Sequence, residues 1–94
     1  MMDARHILSL FFTRAAGDCR IGIGHIGLYA TLVQMTIEQE AEGPLVTYGA
    51  QVMVLAKISS TATYHRLIRE LNAYGYIVYK PSFYKGRGSR IFIT

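Results

Sequence analysis

Apolar residues recur along this chain at helical spacing for about three quarters of its length, then give way to β-branched and aromatic runs. Asp3 stands where a carboxylate caps a helix running to about Ala16, with Gly17 and Asp18 ending it. The apolar positions of that helix (Ile7, Leu8, Leu10, Phe11, Phe12, Ala15) cover more than one stripe, which suits a helix deep in a core or shared with a partner. A second helix is predicted from about His25 to Glu40. Ile26, Tyr29, Leu32, Val33 and Ile37 keep its 3.6-residue period, Glu38, Glu40 and Glu42 lie outside the stripe, and Gly43-Pro44 stops it. Leu45 to Tyr48 reads as a short extended piece. Gly49 opens a two-turn helix from Ala50 to about Lys57, Ile58 turns inward, and Ser59 or Ser60 caps a fourth helix through about Tyr74. In this fourth helix Tyr64, Leu67, Ile68 and Leu71 make the i, i+3, i+4, i+7 stripe, and Gly75 stands at its C-terminal stop. Two strands follow, Tyr76 to Ser82 and Ser89 to Thr94, joined by the glycine-bearing loop Phe83-Tyr84-Lys85-Gly86-Arg87-Gly88; Pro81 marks an edge or a bend. The pattern is mainly α with a small β-hairpin, an α+β class.

Composition narrows the function. Ninety-four residues suffice for a single domain over 1–94 with one core, without a second lobe for a cofactor. Apolar residues make up 51% and charged ones only 17%, which implies apolar surface shared between chains. Charge is divided unequally along the chain. Residues 1–56 carry three arginines against five acids, a net −2, whereas residues 57–94 carry seven cations against Glu70 alone, a net +6. A basic C-terminal half is the footprint expected of a polyanion binder. The lone Cys19 rules out an internal disulfide framework and a cysteine-based zinc site, and fits a reducing compartment. No apolar run approaches the ~20 residues of a membrane span. The greasy stretch Ile7–Phe12 is short for a signal peptide and is followed at once by Arg14, so a cytoplasmic protein is expected.

The order of the last elements is the informative feature: short helix, tight turn, longer amphipathic helix, glycine stop, basic hairpin. Such a short helix braces a second one whose polar face can enter the major groove, while the hairpin's cations meet phosphates or a minor groove. Three stretches, Val52-Met53-Val54-Leu55-Ala56-Lys57-Ile58-Ser59-Ser60, Thr63-Tyr64-His65-Arg66-Leu67-Ile68-Arg69-Glu70-Leu71 and Gly75-Tyr76-Ile77, resemble the winged helix-turn-helix superfamily. That resemblance covers residues 48–94. Lys57-Ile58-Ser59-Ser60, Ala62-Thr63-Tyr64-His65-Arg66, Pro81-Ser82 and His25-Ile26-Gly27-Leu28-Tyr29 are similar, more narrowly, to small stand-alone bacterial winged-helix proteins described as transcriptional regulators. The resemblance implies sequence-specific binding of double-stranded DNA. It puts Thr61, Ala62, Thr63, His65, Arg66 and Arg69 on the groove side of a recognition helix, and Lys85, Arg87 and Arg90 on the wing. Larger repressors of the superfamily carry a sensor domain that this sequence lacks, so no small-molecule effector is evident.

Each reading has a plainer rival. Arg66 and Arg69 also fit a solvated helix face, and His65 an ordinary surface histidine. Tyr76 and Tyr79 fit packing of the hairpin on the helices better than base stacking, while Phe83 and Tyr84 suit either. Gly22-Ile23-Gly24-His25-Ile26-Gly27 matches the dinucleotide fingerprint in form, but no buried strand precedes it and no βαβ crossover follows, so it reads as a glycine-rich helix start. Cys19 beside Arg20 fits a small loop residue better than a redox sensor. His6, His25 and His65 lack metal-ligand spacing, and no nucleophile–base arrangement is present. The expectation is therefore a non-enzymatic, cofactor-free DNA-binding homodimer. The alternatives are a winged-helix interaction or accessory module in replication or mobilisation of a mobile element, and a single-stranded nucleic-acid binder.

Overall fold

Asp3 caps the first helix, its Oδ1 accepting from the Arg5 N–H at 3.0 Å, as expected of a carboxylate at a helix start. The structure, a computed structural model, describes residues 3–39, 42–84 and 86–94. Its elements are α1 (Ala4–Ala16), α2 (Ile23–Glu38), β1 (Leu45–Thr47), α3 (Gly49–Ala56), α4 (Thr61–Ala73), β2 (Ile77–Lys80) and β3 (Ser89–Ile93). Four helices and a small antiparallel sheet make a mixed α+β fold. No helix among the described residues is long and apolar enough to cross a membrane.

Helix α2 starts two residues before the expected His25, because Gly22 supplies the extended cap and His25 sits at the third helical position. Glycine has no side chain to cap with. Instead, the His25 Nδ1 reaches back and accepts from the Gly22 N–H at 3.0 Å. Glu40, expected to close this helix, lies outside the described residues. Between α3 and α4 the turn runs through Lys57 at φ 60°, a left-handed residue whose N–H reaches the carbonyls of Met53 and Val54. Ser60, not Ser59, caps α4, its Oγ accepting from the Thr63 N–H at 3.2 Å. Gly75 takes φ 86°, as a glycine stop should.

The sheet has the order β1-β3-β2, so the extended piece at Leu45 is a true strand and the hairpin is one part of a three-stranded sheet. Its pairing partner is β3: Leu45 faces Ile91, Val46 faces Arg90 and Thr47 faces Ser89. A three-residue strand is too short to be evident from alternation, which is why only its pairing reveals it. Strand β2 is also shorter than expected, ending before Pro81, whose ring carries no N–H for the ladder.

The core gathers around α2 and α4. Leu28, Leu32, Ile68 and Leu71 are wholly buried, with Val52 from α3 and Ile77 and Ile91 from the sheet. From α1, Phe11 stacks on Tyr29 with ring centroids 4.1 Å apart and meets Tyr76 edge-on at 5.3 Å. The rest of α1 divides. Ile7, Leu8 and Ala15 pack on the core, while Leu10 and Phe12 are about half exposed, at 53% and 49%. Gly24 lies against Leu67, at 3.2 Å from where a Cβ would stand, so the glycine-rich stretch serves contact between α2 and α4.

Removing a buried leucine from this seam should be costly. Leu71→Ala is expected to cost about 2–5 kcal/mol through reduced burial and the cavity left behind. In a chain this small, that lowers the melting temperature by roughly 8 °C or more. A thermal melt within a few degrees of the wild type would mean that α4 does not pack through this face.

Candidate nucleic-acid interface

Helix α4 has two unlike sides. Tyr64, Leu67, Ile68 and Leu71 are buried, whereas Thr61, Ala62, His65, Arg66 and Arg69 are exposed, and Thr63 is half-buried. The N-terminal end of the helix is held by a close fit. The Tyr64 ring covers Gly49, where a Cβ would come within 2.9 Å of the ring, so α3 can approach α4 only with glycine there. Burial pushes the Tyr64 hydroxyl up to about 12, and the phenol stays neutral. The neighbouring His65 ring stands edge-on to Tyr64 at 5.4 Å, on the solvent side.

Arg66 is not a loose surface charge. Its Nη1 donates to Glu70 Oε1 at 2.8 Å, one helical turn on, while the side chain remains 57% exposed. The same oxygen accepts from His25 Nε2 at 3.0 Å, and the Tyr74 hydroxyl donates to Oε2 at 3.3 Å. With Nδ1 accepting from Gly22, the His25 proton belongs on Nε2, which fixes the ring as a donor to Glu70. The hydrogen bond from His25, with the Arg66 guanidinium beside it, holds the Glu70 carboxyl below its usual range. Glu70 is the only acid of the basic half, and it joins the start of α2 to the exposed face of α4. Sequence reading missed this network because residues 25 and 70 are distant along the chain. Arg69 makes no ion pair among the described residues.

The other group of cations lies on the hairpin. On the sheet, Leu45, Ile77, Tyr79 and Ile91 face the helices, and Val46, Val78, Lys80, Arg90 and Phe92 alternate outward. Arg90 is exposed on β3, directly opposite Lys80 on β2 and Val46 on β1. Lys80 was not anticipated as a site residue; only the strand register brings it beside Arg90. Arg87 is exposed in the loop, its Cζ 5.7 Å from the centre of the Tyr84 ring. Lys85 lies outside the described residues. Tyr76 is buried and Tyr79 half-buried, whereas Phe83 and Tyr84 project into solvent at 91% and 74% exposure.

Two arginines of the acidic half are engaged internally. Arg20 forms a paired contact with Asp18, with both bonds at 2.8 Å, and lies 4.1 Å over the Tyr74 ring. Asp18 also accepts from the Tyr76 hydroxyl at 2.9 Å. Arg14 donates to the Gly75 carbonyl at 3.1 Å and lies 4.3 Å over Tyr76. Cys19 is exposed, and the guanidinium of its neighbour Arg20 is taken up by Asp18 and Tyr74. Comparison of the chain with protein-family models, curated proteins and solved structures finds no match.

The Asp18 contacts generate a pH dependence. Hydrogen bonds from Arg20, reinforced by Tyr76, hold the Asp18 carboxyl well below the usual carboxylate range. A carboxyl depressed in the folded state contributes its full stabilisation above the unfolded value, near 4, and loses it as pH falls below that. Urea unfolding should therefore give a level stability from pH 7 to about 5 and a steep decline below about 4. Asp18→Asn should be less stable at pH 7 and show a shallower decline. Parallel acid profiles for wild type and variant would remove Asp18 as a source of the dependence.

Proposed function

We propose that this protein is a winged helix-turn-helix regulator that binds a specific double-stranded DNA site as a homodimer, in the cytoplasm and without cofactor or catalysis. The observation that carries the reading is the two-sided α4: a buried apolar stripe opposite an exposed face bearing His65, Arg66 and Arg69. The element order supports it, since α3, a tight turn and α4 are followed by a hairpin carrying Arg87 and Arg90. The charge of the basic half points the same way, because its one acid is already bound to His25 and Arg66.

In this reading α4 enters the major groove, which at ~12 Å admits one helix. Thr61, Thr63 and His65 line the approach, and Arg69 meets a phosphate or base edge a turn later. Arg66, steadied by Glu70, presents its guanidinium to guanine O6 and N7. Steadying a long side chain in advance lowers the entropy cost of binding. Arg87 contacts phosphates or the minor groove from the loop and Arg90 from the sheet, and the family resemblance assigns Lys85, two residues before Arg87, to the same role. The second copy is held through α1, where half-exposed Leu10 and Phe12 are the apolar surface available. A two-fold arrangement puts two recognition helices ~34 Å apart on one face of the duplex.

Reading bases and holding phosphates are separable. Selected-site binding at two salt concentrations should show that Arg66→Ala relaxes preference at one position of each half-site, a drop of about 1–3 kcal/mol in discrimination. Arg87→Ala should weaken all duplexes alike and lower the salt slope by about one unit. Unchanged preference in Arg66→Ala takes that residue out of base reading, and equal small losses in both variants would make them solvated charges. For the dimer, light scattering at tens of micromolar should give about twice 10.5 kDa, and Phe12→Glu should return it to the monomer. A wild-type monomer at that concentration rejects the α1 interface.

A further inference from the structure

The outer side of the hairpin holds a groove that shares Arg87 and Arg90 with the duplex reading but adds Lys80 and three aromatic rings that the duplex reading does not use. Its walls carry Lys80, Arg87 and Arg90 with Tyr48, Phe83 and Tyr84, and no carboxylate among the described residues lines it. Tyr48 stands at the end of β1 on one side, and Phe83 and Tyr84 stand in the loop on the other. At Gly88 a Cβ would lie 2.9 Å from the Thr47 carbonyl oxygen, so only glycine lets the loop lie this close to β1.

Two features are unfavourable for the chain alone. Lys80 and Arg90 are like charges at directly opposite register positions of a strand pair, an unfavourable arrangement only partly offset by the Phe92 ring 5.5 Å beneath the Lys80 ammonium. Phe83, at 91% exposure, leaves a large ring in water with no covering residue among those described. A polyanion relieves the first and a flat apolar face covers the second. Bases of an intact duplex are stacked on one another, so their faces are closed to Phe83 and Tyr84. An unstacked strand offers both phosphates and base faces.

We propose that this groove binds single-stranded DNA, its phosphates on Lys80, Arg87 and Arg90 and its bases stacked on Phe83, Tyr84 and Tyr48. The choice of DNA rests on the reading of α4 as a DNA-binding helix; the groove would hold a strand unpaired beside the duplex site. An acidic protein surface would satisfy the cations but leave the rings without flat partners.

The test is fluorescence anisotropy of the full chain with a labelled single strand of about 15 nucleotides, long enough for a short stacking site, and with a duplex of the same sequence. Phe83→Ala with Tyr84→Ala should weaken single-strand binding about tenfold or more. Duplex binding should stay unchanged, and the melting temperature should hold because both rings are exposed. Lys80→Gln with Arg90→Gln should reduce the single-strand salt slope by about 0.7 for each phosphate no longer neutralised, with stability maintained. Arg66→Ala with Arg69→Ala should weaken the duplex and spare the single strand.

An aromatic double variant that binds the single strand like wild type overturns the proposal. So does one that weakens duplex and single strand equally, or a wild type that prefers an RNA strand of the same sequence. Duplex binding without single-strand binding defeats this proposal alone, whereas single-strand binding without duplex binding defeats the operator reading and leaves the groove standing.

Discussion

The structure depends on α4 being buried on one side only. Tyr64, Leu67, Ile68 and Leu71 pack it against its neighbours, and each fully buried side chain of this size contributes about 1.5–3 kcal/mol. This packing sets the rotation of the helix about its own axis. Once the apolar stripe is inward, His65, Arg66 and Arg69 have only the solvent side left. The two close approaches that hold the helix in place, Leu67 on Gly24 and Tyr64 on Gly49, both involve residues of the stripe. The geometry of the exposed cations is thus a consequence of how the core closes.

Charge is sorted by the same packing. Arg14 and Arg20 from the N-terminal half, though exposed, bond to Gly75 and Asp18 and lie over two tyrosine rings, and so tie α1 and the following turn to the junction of α4 with β2. Glu70 turns toward His25, steadying Arg66 without removing it from solvent. Arg5, Arg14 and Arg20 of the N-terminal half also reach solvent, but Arg14 and Arg20 are committed to intramolecular partners, whereas Arg69, Arg87 and Arg90 of the basic half hold no ion pair among the described residues. A net charge of +4 averages over an uneven chain, in which residues 57–94 carry a net +6.

The hairpin has a different logic. Its inner face is ordinary core, with Ile77, Tyr79 and Ile91 against the helices, but its outer face combines repelling cations and uncovered rings. Neither feature helps the fold. Arrangements that a small domain tolerates at a cost are places to look for binding, because a ligand can convert the cost into affinity. The α4 face and the hairpin groove offer different chemistry, one polar and helical, the other aromatic and concave.

Local and short-range rules determined much of this protein. The cap at Asp3, the 3.6-residue stripe of α4, the Gly75 stop and the positions of both late strands follow from residues within a few places of one another, where steric and hydrogen-bonding preferences act directly. The charge asymmetry is likewise a property of the chain itself. What tertiary structure decided are the relations between distant residues. The pairing of Leu45–Thr47 with β3, the Lys80–Arg90 juxtaposition and the His25–Glu70–Arg66 network depend on which elements come to lie side by side. No periodicity encodes such contacts, because strand register and side-chain pairing are set by which faces the whole core can bury at once. Arg66 is the clearest case: its place on the open side of α4 was legible from spacing, but the tie of its partner Glu70 to His25 became visible only when α2 was packed beside it.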